Sequence, residues 1–212
     1  MPRNDENMKI LIATKNPGKF EEIVSGLASL SALGVEFVRP SDLGIDDEVE
    51  EHGSTHGENA ILKARHFFAK TGLATVGEDS GIHVDAFPGE LGVMTRRWGG
   101  LEKATDEEWI KYFLTQMERV PAGARGAKFV CFAAVILSPK DVEKPHIFAG
   151  ETRGVITKGL EAPLKAGIPI SSCFRPEGFD KVYAALTNEE KNRVSHRGKA
   201  MAKLAEFLRV QL

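Results

Sequence analysis

The sequence predicts a mixed α/β fold with a central twisted sheet and a cleft between two lobes. Short apolar runs alternate with segments in which apolar residues recur at helical spacing, a pattern typical of α/β proteins. Two capping-box patterns mark helix starts, at Thr55 with Glu58 and at Thr187 with Glu190. Since no internal repeat or flexible linker divides the chain, we expect residues 8–212 to form a single two-lobed domain.

The N-terminal part of the chain is predicted to form a strand, a turn, a helix and a second strand. The apolar run Lys9–Ala13 predicts a buried strand, and the polar segment Thr14–Lys19 predicts the turn that follows it. Apolar residues from Phe20 to Leu30 recur at helical spacing, and Val35–Arg39 predicts the second strand. This order places the Thr14–Lys19 turn directly before a helix N-terminus.

The rest of the chain alternates between strands and helices by the same criteria. The expected elements are a helix after Thr55, a strand Ala74–Gly77 that could continue over Gly81–Ala86 after a turn, a helix Asp106–Arg119, strands Ala127–Leu137 and His146–Thr152, and a helix after Thr187. Glycines and prolines predict a loop over Pro88–Gly100 and irregular structure over Gly154–Arg175.

Composition and charge argue against several classes of function. A formal net charge of -2 with 27% charged residues gives no polybasic surface, so we expect no nucleic-acid and no membrane partner. No run approaches the roughly 18 consecutive apolar residues of a membrane helix. Residues 1–7 are polar and predict a disordered tail rather than a secretory signal. Cys131 and Cys173 lack the close spacing of a zinc or disulfide framework, which favours a cytoplasmic location.

The Thr14–Lys19 turn is the first candidate for chemistry. Unpaired N–H groups and the dipole at a helix N-terminus favour anions, and Lys19 adds a positive charge suited to phosphate. The glycine patterns of the Walker A loop and of dinucleotide-binding folds are absent. The segment therefore predicts either a phosphate site or a plain turn with an exposed lysine.

The second candidate is the acidic segment Glu78-Asp79-Ser80-Gly81. It follows a predicted strand, and Glu48, Glu50 and Glu51 add carboxylates upstream. Carboxylates at a strand end can hold Mg²⁺, which bridges phosphate oxygens, and a spare carboxylate can orient or deprotonate the attacking water. Asp-Ser-Gly is also common turn chemistry, so a solvated acidic turn is the competing interpretation.

The third candidate lies in the predicted C-terminal helix. Lys191 and Ser195 are four residues apart and share a helix face, and Arg197 falls beside the apolar stripe. Planar donors such as Arg197 suit a purine edge or a phosphate. His196 projects elsewhere on the helical wheel, so a ligand shared with Arg197 requires a kink, or loosening at Gly198. A solvated helix start is the alternative.

Taken in order, these segments resemble the inosine triphosphate pyrophosphatase family, which hydrolyses non-standard purine nucleoside triphosphates. The similarity extends nearly from end to end of the chain. The matching segments are Ala13–Glu22, Gly57–Ala64, Glu78–Ala86, Gly89–Val93 and Glu189–Gly198. Each segment alone is weak evidence for the resemblance, whereas five segments in the same order and at the family's spacing are specific evidence.

The resemblance implies an elongated two-lobed α/β protein, usually a homodimer, that uses Mg²⁺ to convert ITP, dITP or XTP to the monophosphate and pyrophosphate. It makes Asp79 the proton acceptor and, with Glu51, a metal ligand. It places Lys63 near phosphate. The residues that it assigns to substrate binding are Thr14, Lys15, Asn16, Pro17, Gly18, Lys19, Ser80 and Lys191, with His196 and Arg197 on the purine's 6-oxo edge.

One segment departs from the family pattern. The family carries a Phe-Gly-Tyr-Asp-Pro sequence that stacks on the base and recognises it, and Ile168–Cys173 occupies that place here. Ile168 or Ile170 could provide an apolar surface instead, or Phe174 or Phe179 could be recruited to stack on the base. The departure leaves two alternatives open, namely the same chemistry on another nucleotide and a catalytically silent nucleotide-binding protein.

Overall fold

The fold was established from a computed structural model, which describes residues 8–211. The tail predicted for residues 1–7 lies outside the described residues. The helices are α1 (Pro17–Leu27), α2 (His56–Thr71), α3 (Asp106–Met117), α4 (Asn188–Val194) and α5 (His196–Gln211). The strands are β1 (Met8–Ala13), β2 (Val35–Val38), β3 (Ala74–Val84), β4 (Gly126–Ile136), β5 (His146–Ile156) and β6 (Phe174–Pro176).

The six strands form one mixed sheet in the order β2-β1-β3-β4-β5-β6. Strand β1 pairs in parallel with β2 and β3, while the pairs from β3 to β6 are antiparallel. Helices pack against this sheet, so the predicted mixed α/β fold is confirmed. No helix within the described range is both long and apolar enough to span a membrane.

The hydrophobic core divides along the sheet, and its two largest clusters pack against different parts of it. One part packs α1 and α5 against β1 and the first half of β3, with Ile12 and Val76 fully buried. Another packs α3 against the far end of the sheet, with Ile82 and Phe113 fully buried. Strand β3 runs through both parts, and Asp79 lies between them at the middle of the strand.

Strand β3 corrects the turn predicted at Glu78–Gly81. The strand is continuous from Ala74 to Val84, and Asp79 lies opposite Phe132 of β4. Two adjacent carboxylates are stable inside a strand because cations from α1, α2 and α5 reach them. The predicted irregular region also begins later than expected, since Gly154 still pairs with Pro176 in the sheet.

The predicted C-terminal helix is broken at Ser195. Thr187 caps α4 through the predicted capping box, but Ser195 has φ -72° and ψ 153°, which is an extended conformation. The Ser195 hydroxyl then accepts a hydrogen bond from the Gly198 N–H at 2.9 Å. His196 and Arg197 therefore start a new helix, α5, and the kink that a ligand shared by these two residues requires is present.

Candidate active site

A cleft of about 650 Å³ opens beside the middle of β3. Its walls come from the end of β1, the N-termini of α1 and α5, helices α2 and α3, and the segment before β6. The cleft brings together most of the predicted site residues, namely Thr14, Lys15, Asn16, Pro17, Lys19, Glu51, Lys63, Asp79, Ser80, His196 and Arg197. Gly18, Lys191 and Phe174 do not line it.

The N-terminus of α1 lines the cleft and is capped by Asn16. The Asn16 side-chain oxygen accepts a hydrogen bond from the Lys19 N–H at 3.0 Å, and Pro17 occupies the first turn, where no N–H is needed. The Asn16 side-chain amide also donates to the Gly167 carbonyl at 2.7 Å. The predicted phosphate site is therefore a capped helix N-terminus that is hydrogen-bonded to the segment before β6. The exposed Lys15 beside it forms an ion pair with Asp46.

Gly18 contributes packing rather than a surface in the cleft. A Cβ at this position would lie 2.5 Å from the Ala166 carbonyl oxygen and 3.0 Å from Cγ1 of Ile168. The segment around Ala166 therefore lies directly on the first turn of α1. A side chain at position 18 would separate the two.

Asp79 is surrounded by three side chains from one face of α2. His56 Nδ1 lies 2.7 Å from Asp79 Oδ2, and Asn59 Nδ2 donates to the same oxygen at 3.5 Å. Lys63 Nζ lies 3.4 Å from the other oxygen, Oδ1. Burial raises the pKa of Asp79, but the hydrogen bond from His56 and the charges of Lys63 and Lys19 outweigh it and lower the pKa. Asp79 is therefore ionised at neutral pH.

Glu51 and Asp79 flank the Lys63 ammonium group. Lys63 Nζ lies 2.9 Å from Glu51 Oε1, so one cation connects both carboxylates. Magnesium is typically held in proteins by one or two carboxylates, with waters and substrate phosphates completing its shell. The oxygen donors of Glu51 and Asp79 fit that requirement, although residues 8–211 contain no cluster of three or more potential metal ligands.

Glu78 lies beneath the cleft in a buried charge network. Its Oε2 lies 3.0 Å from Lys19 Nζ, and its Oε1 accepts hydrogen bonds from two nitrogens of Arg197 at 3.1 and 3.0 Å. Burial raises the pKa of Glu78, but Arg197, Lys19 and Lys63 hold it well below its usual value. In return, Glu78 and Asp79 raise the pKa of Lys19 in spite of burial, so Lys19 remains a cation.

All three guanidinium nitrogens of Arg197 have protein partners. Besides Glu78, they contact the Glu22 carboxylate and the Ser80 hydroxyl, the latter at 2.8 Å. Lys191 pairs with Glu22 as well, and its ammonium lies 5.6 Å from the centre of the Tyr183 ring. Lys191 lines a second cavity on the other side of Glu22, next to α1, and not the main cleft.

His196 lines the cleft at the start of α5, and its Nδ1 is buried. Its ring stacks on Phe129 at a centroid distance of 4.7 Å and an interplanar angle of 14°. Burial and the neighbouring Arg197 hold the pKa of His196 well below its usual value, so the imidazole is neutral. His196 Nδ1 is buried and has no hydrogen-bond partner among the described residues.

One wall of the cleft is apolar, and its Ile168 lies against the first turn of α1. Ile168, Pro169 and Ile170 line it together with Ser171. Phe174, a candidate for base stacking, is fully buried and packs edge-on behind Phe129 at 4.8 Å, so it has no surface in the cleft.

The structure adds site residues that sequence reasoning did not single out. His56 and Asn59 contact Asp79, Glu22 and Trp109 line the cleft, and Phe129 supports His196. A signal existed for the first two, because positions 56, 59 and 63 share one helix face and Lys63 was already a candidate. No comparable local signal marked Phe129 in an apolar strand.

Comparisons with known proteins agree with this geometry. Residues 10–207 match the model of the Ham1 family. The curated relatives include proteins named dITP/XTP pyrophosphatase from Yersinia pseudotuberculosis and Escherichia coli K12, each 38% identical over 201 residues. Both alignments cover 95% of this chain and 98% of the relative.

Solved structures show the same fold. A HAM1 protein from Coxiella burnetii has a TM-score of 0.77 and 31% identity, with 96% of this chain and 99% of that one covered. The Staphylococcus aureus Ham1 protein has a TM-score of 0.75 and 30% identity, with 96% and 100% covered. Because the family model matches almost the whole chain, the protein belongs to the Ham1 family.

Proposed function

We propose that this protein hydrolyses non-standard purine nucleoside triphosphates, namely ITP, dITP and XTP, to the monophosphate and pyrophosphate, with Mg²⁺ as cofactor. The observation that carries the proposal is the position of Asp79. It is a buried, ionised carboxylate that shares one cleft with the N-terminus of α1 and with Lys19. The names of the curated relatives support the same reaction.

The triphosphate is assigned to the end of the cleft formed by α1. The side chains of Thr14, Lys15 and Lys19 offer hydrogen bonds and positive charge there, beside the positive end of the helix dipole. Ser80 adds a hydroxyl that already accepts a hydrogen bond from Arg197. Hydrolysis of a phosphoanhydride depends mainly on charge neutralisation and in-line placement of water, which such a site supplies.

Asp79 is assigned to the attacking water. A carboxylate that is ionised at neutral pH can accept a proton from a water molecule in the cleft or orient it. Glu51 and Asp79 are the residues that would hold Mg²⁺, whose charge would neutralise phosphate oxygens. Lys63 lies between the two carboxylates, and its charge helps to lower the pKa of Asp79.

The base is assigned to the end of the cleft formed by His196. His196 lines the cleft and can bond the 6-oxo edge of a purine, as the family resemblance implies. Arg197 then acts through Glu78 and Ser80, because its own nitrogens are engaged. A second candidate is the same chemistry on another nucleotide, since Ile168–Cys173 occupies the place of the family's base-recognition segment and lacks its aromatic and aspartate.

The proposal extends to assembly and location. We expect one two-lobed domain over residues 8–212, which the single sheet through both lobes supports. We expect a homodimer in the cytoplasm, with a nucleoside triphosphate as substrate and no nucleic-acid or membrane partner. Cys131 and Cys173 are both free and buried, as suits a reducing compartment.

A nucleotide panel tests the proposal. Purified protein with Mg²⁺ should release pyrophosphate from ITP, XTP and dITP well above the release from ATP and GTP, and EDTA should abolish it. Asp79→Asn should lower kcat by about 10³-fold, within the range for loss of a general base. The matched control Asp180→Asn changes an exposed aspartate and should have no effect.

Each alternative predicts a different result. Hydrolysis of another nucleotide at a higher rate would support the second candidate over the first. Nucleotide binding without any pyrophosphate release, in the wild type and in Asp79→Asn alike, would show a silent nucleotide-binding protein and refute the enzymatic proposal.

A further inference from the structure

We propose that His56 is a positioning residue for Asp79, which holds one carboxylate oxygen so that the other faces the cleft. The inference rests on the proposed function, in which Asp79 acts on water and metal. It concerns a histidine at the first position of α2 that the sequence motifs did not single out.

The contact between the two side chains is short and buried. His56 Nδ1 lies 2.7 Å from Asp79 Oδ2, and the side chains are 6% and 8% exposed. An ionised carboxylate only accepts hydrogen bonds, so Nδ1 carries the proton and donates it. The other ring nitrogen, Nε2, is buried and has no partner within residues 8–211. The imidazole therefore has a single polar contact there, and it is with Asp79.

The ring is fixed from both sides. It lies nearly parallel to Phe132, with a centroid distance of 6.3 Å and an interplanar angle of 15°. On strand β3, Gly81 leaves the space that the ring needs, because a Cβ there would lie 2.8 Å from His56 Cε1. The Thr55 cap sets the backbone just before His56. These contacts hold the His56 ring so that its Nδ1 donates to Asp79 Oδ2.

The two oxygens of Asp79 consequently have different surroundings. Oδ2 accepts hydrogen bonds from His56 at 2.7 Å and Asn59 at 3.5 Å, whereas the one partner of Oδ1 among residues 8–211 is the Lys63 ammonium at 3.4 Å. The terminal torsion of an aspartate is broad and has no sharp rotamer wells, so packing alone does not set the carboxylate plane. The hydrogen bond from His56 sets it and leaves Oδ1 toward Lys63, which also contacts Glu51.

Loss of this donor should affect reaction and metal affinity more than folding. Removal of a group that orients a ligating side chain typically costs about 10–100-fold in metal affinity or activity. A merely structural histidine would instead lower thermal stability and leave these two quantities unchanged in the folded fraction.

The test compares His56→Phe with His56→Asn in the full-length protein. Phenylalanine keeps a planar ring against Phe132 but lacks the donor, while asparagine keeps a donor near the place of Nδ1. His83→Phe is the matched control, since His83 lies 6.2 Å from the His56 ring and has no hydrogen bond to Asp79. The measurements are kcat and KM for ITP, Mn²⁺ affinity without nucleotide by electron paramagnetic resonance, and Tm.

We expect His56→Phe to lower kcat about 10-fold or more, with KM changed less than about threefold, and to weaken Mn²⁺ binding about 10-fold. His56→Asn should recover most of both losses, and His83→Phe should match the wild type. Wild-type kcat and Mn²⁺ affinity in His56→Phe, or equal losses in the two His56 variants, would overturn the inference. If the wild type releases pyrophosphate from no nucleotide, the proposed function fails, and the Mn²⁺ titration still decides the role of His56.

Discussion

The cleft contains one region of paired charged side chains and one region that is mainly apolar. At the carboxylate end, formed by Glu51, Lys63 and Asp79, charged groups come from α2, β3 and the segment before α2, and each has a protein partner. The apolar part of the cleft, called the apolar end here, comprises His196 and the wall Ile168–Ser171, although Ile168 also lies against the first turn of α1. This wall is irregular, and His196 Nδ1 has no partner in the described structure.

The charged groups at the carboxylate end already have protein partners, whereas the polar group at the apolar end lacks one. In the proposed arrangement, the fixed charges of the carboxylate end lie near the phosphates and cost no reorganisation when the reaction occurs. In the proposed arrangement, the imidazole of His196 gains a hydrogen bond only when a base binds. The carboxylate end should therefore determine rate and stability, and the apolar end should determine which base is accepted.

The first test of this comparison concerns stability, and we expect the largest loss at Glu78, which lies beneath the carboxylate end. Glu78→Gln replaces a fully buried carboxylate that holds Lys19 and Arg197, and it presents an amide N–H₂ to one of these cations. Because the change leaves buried positive charge uncompensated, we expect a loss of about 3–5 kcal/mol in the free energy of unfolding, measured by urea denaturation.

Glu151→Gln provides the control for this prediction. The Glu151 side chain is 60% exposed and pairs with Lys128 at 3.3 Å. Exposed pairs of this kind contribute about 0–1 kcal/mol, so the control should remain close to wild type. Equal losses in the two variants would show that the network under the cleft is no more important than a surface ion pair.

The carboxylate end was only partly predictable from the sequence. Capping boxes at Thr55 and Thr187 identified two helix starts correctly, because their signal is local. The continuous strand through Glu78 was missed, because Asp-Ser-Gly locally favours a turn. The cations that make the strand stable, Lys19 and Arg197, come from distant parts of the chain.

The apolar end was less predictable. The sequence showed that Ile168–Cys173 departs from the family pattern, yet it could not show that Phe174 is buried behind Phe129. It also could not place the break at Ser195, where a serine hydroxyl caps a new helix within an otherwise helical pattern. Both outcomes depend on packing between elements that are far apart in sequence.

A second variant tests the apolar end directly. Ile168 is half-buried on the cleft wall, and Ile168→Phe places an aromatic face there. Stacking of a base on an aromatic side chain contributes about 1–3 kcal/mol, so we expect KM for ITP to fall about 10-fold with kcat changed little. Steady-state pyrophosphate release measures both constants.

Ile168→Leu is the control, because it keeps an aliphatic side chain of the same volume and should leave KM near the wild-type value. A fall in kcat with KM unchanged in Ile168→Phe would contradict the division between the two ends, since it would make the apolar wall part of the reacting end.

The smallest expected effect is on the pH dependence of the free energy of unfolding, to which His196 and Glu78 contribute in different pH ranges. His196 is held neutral in the folded protein, whereas in the unfolded chain it takes up a proton near its ordinary pKa of 6.5. Acidification below that value therefore favours the unfolded state, and the free energy of unfolding should fall between pH 7.5 and 5.5. The lowered pKa of Glu78 acts only nearer its ordinary value of 4.5, where protonation of the unfolded chain begins.

Urea denaturation at several pH values resolves the two ranges. His196→Asn should flatten the slope between pH 7.5 and 5.5, leaving the part due to His83, whose pKa burial also lowers. The same variant should keep the steeper loss below about pH 4.5, to which Glu78 contributes together with Glu22 and Asp79, whose pKa values are also lowered. His52→Asn changes an exposed histidine and should retain the wild-type slope. Identical slopes for His196→Asn and the wild type above pH 5.5 would mean that His196 is not held neutral, and that the apolar end already contains a charge before any base binds.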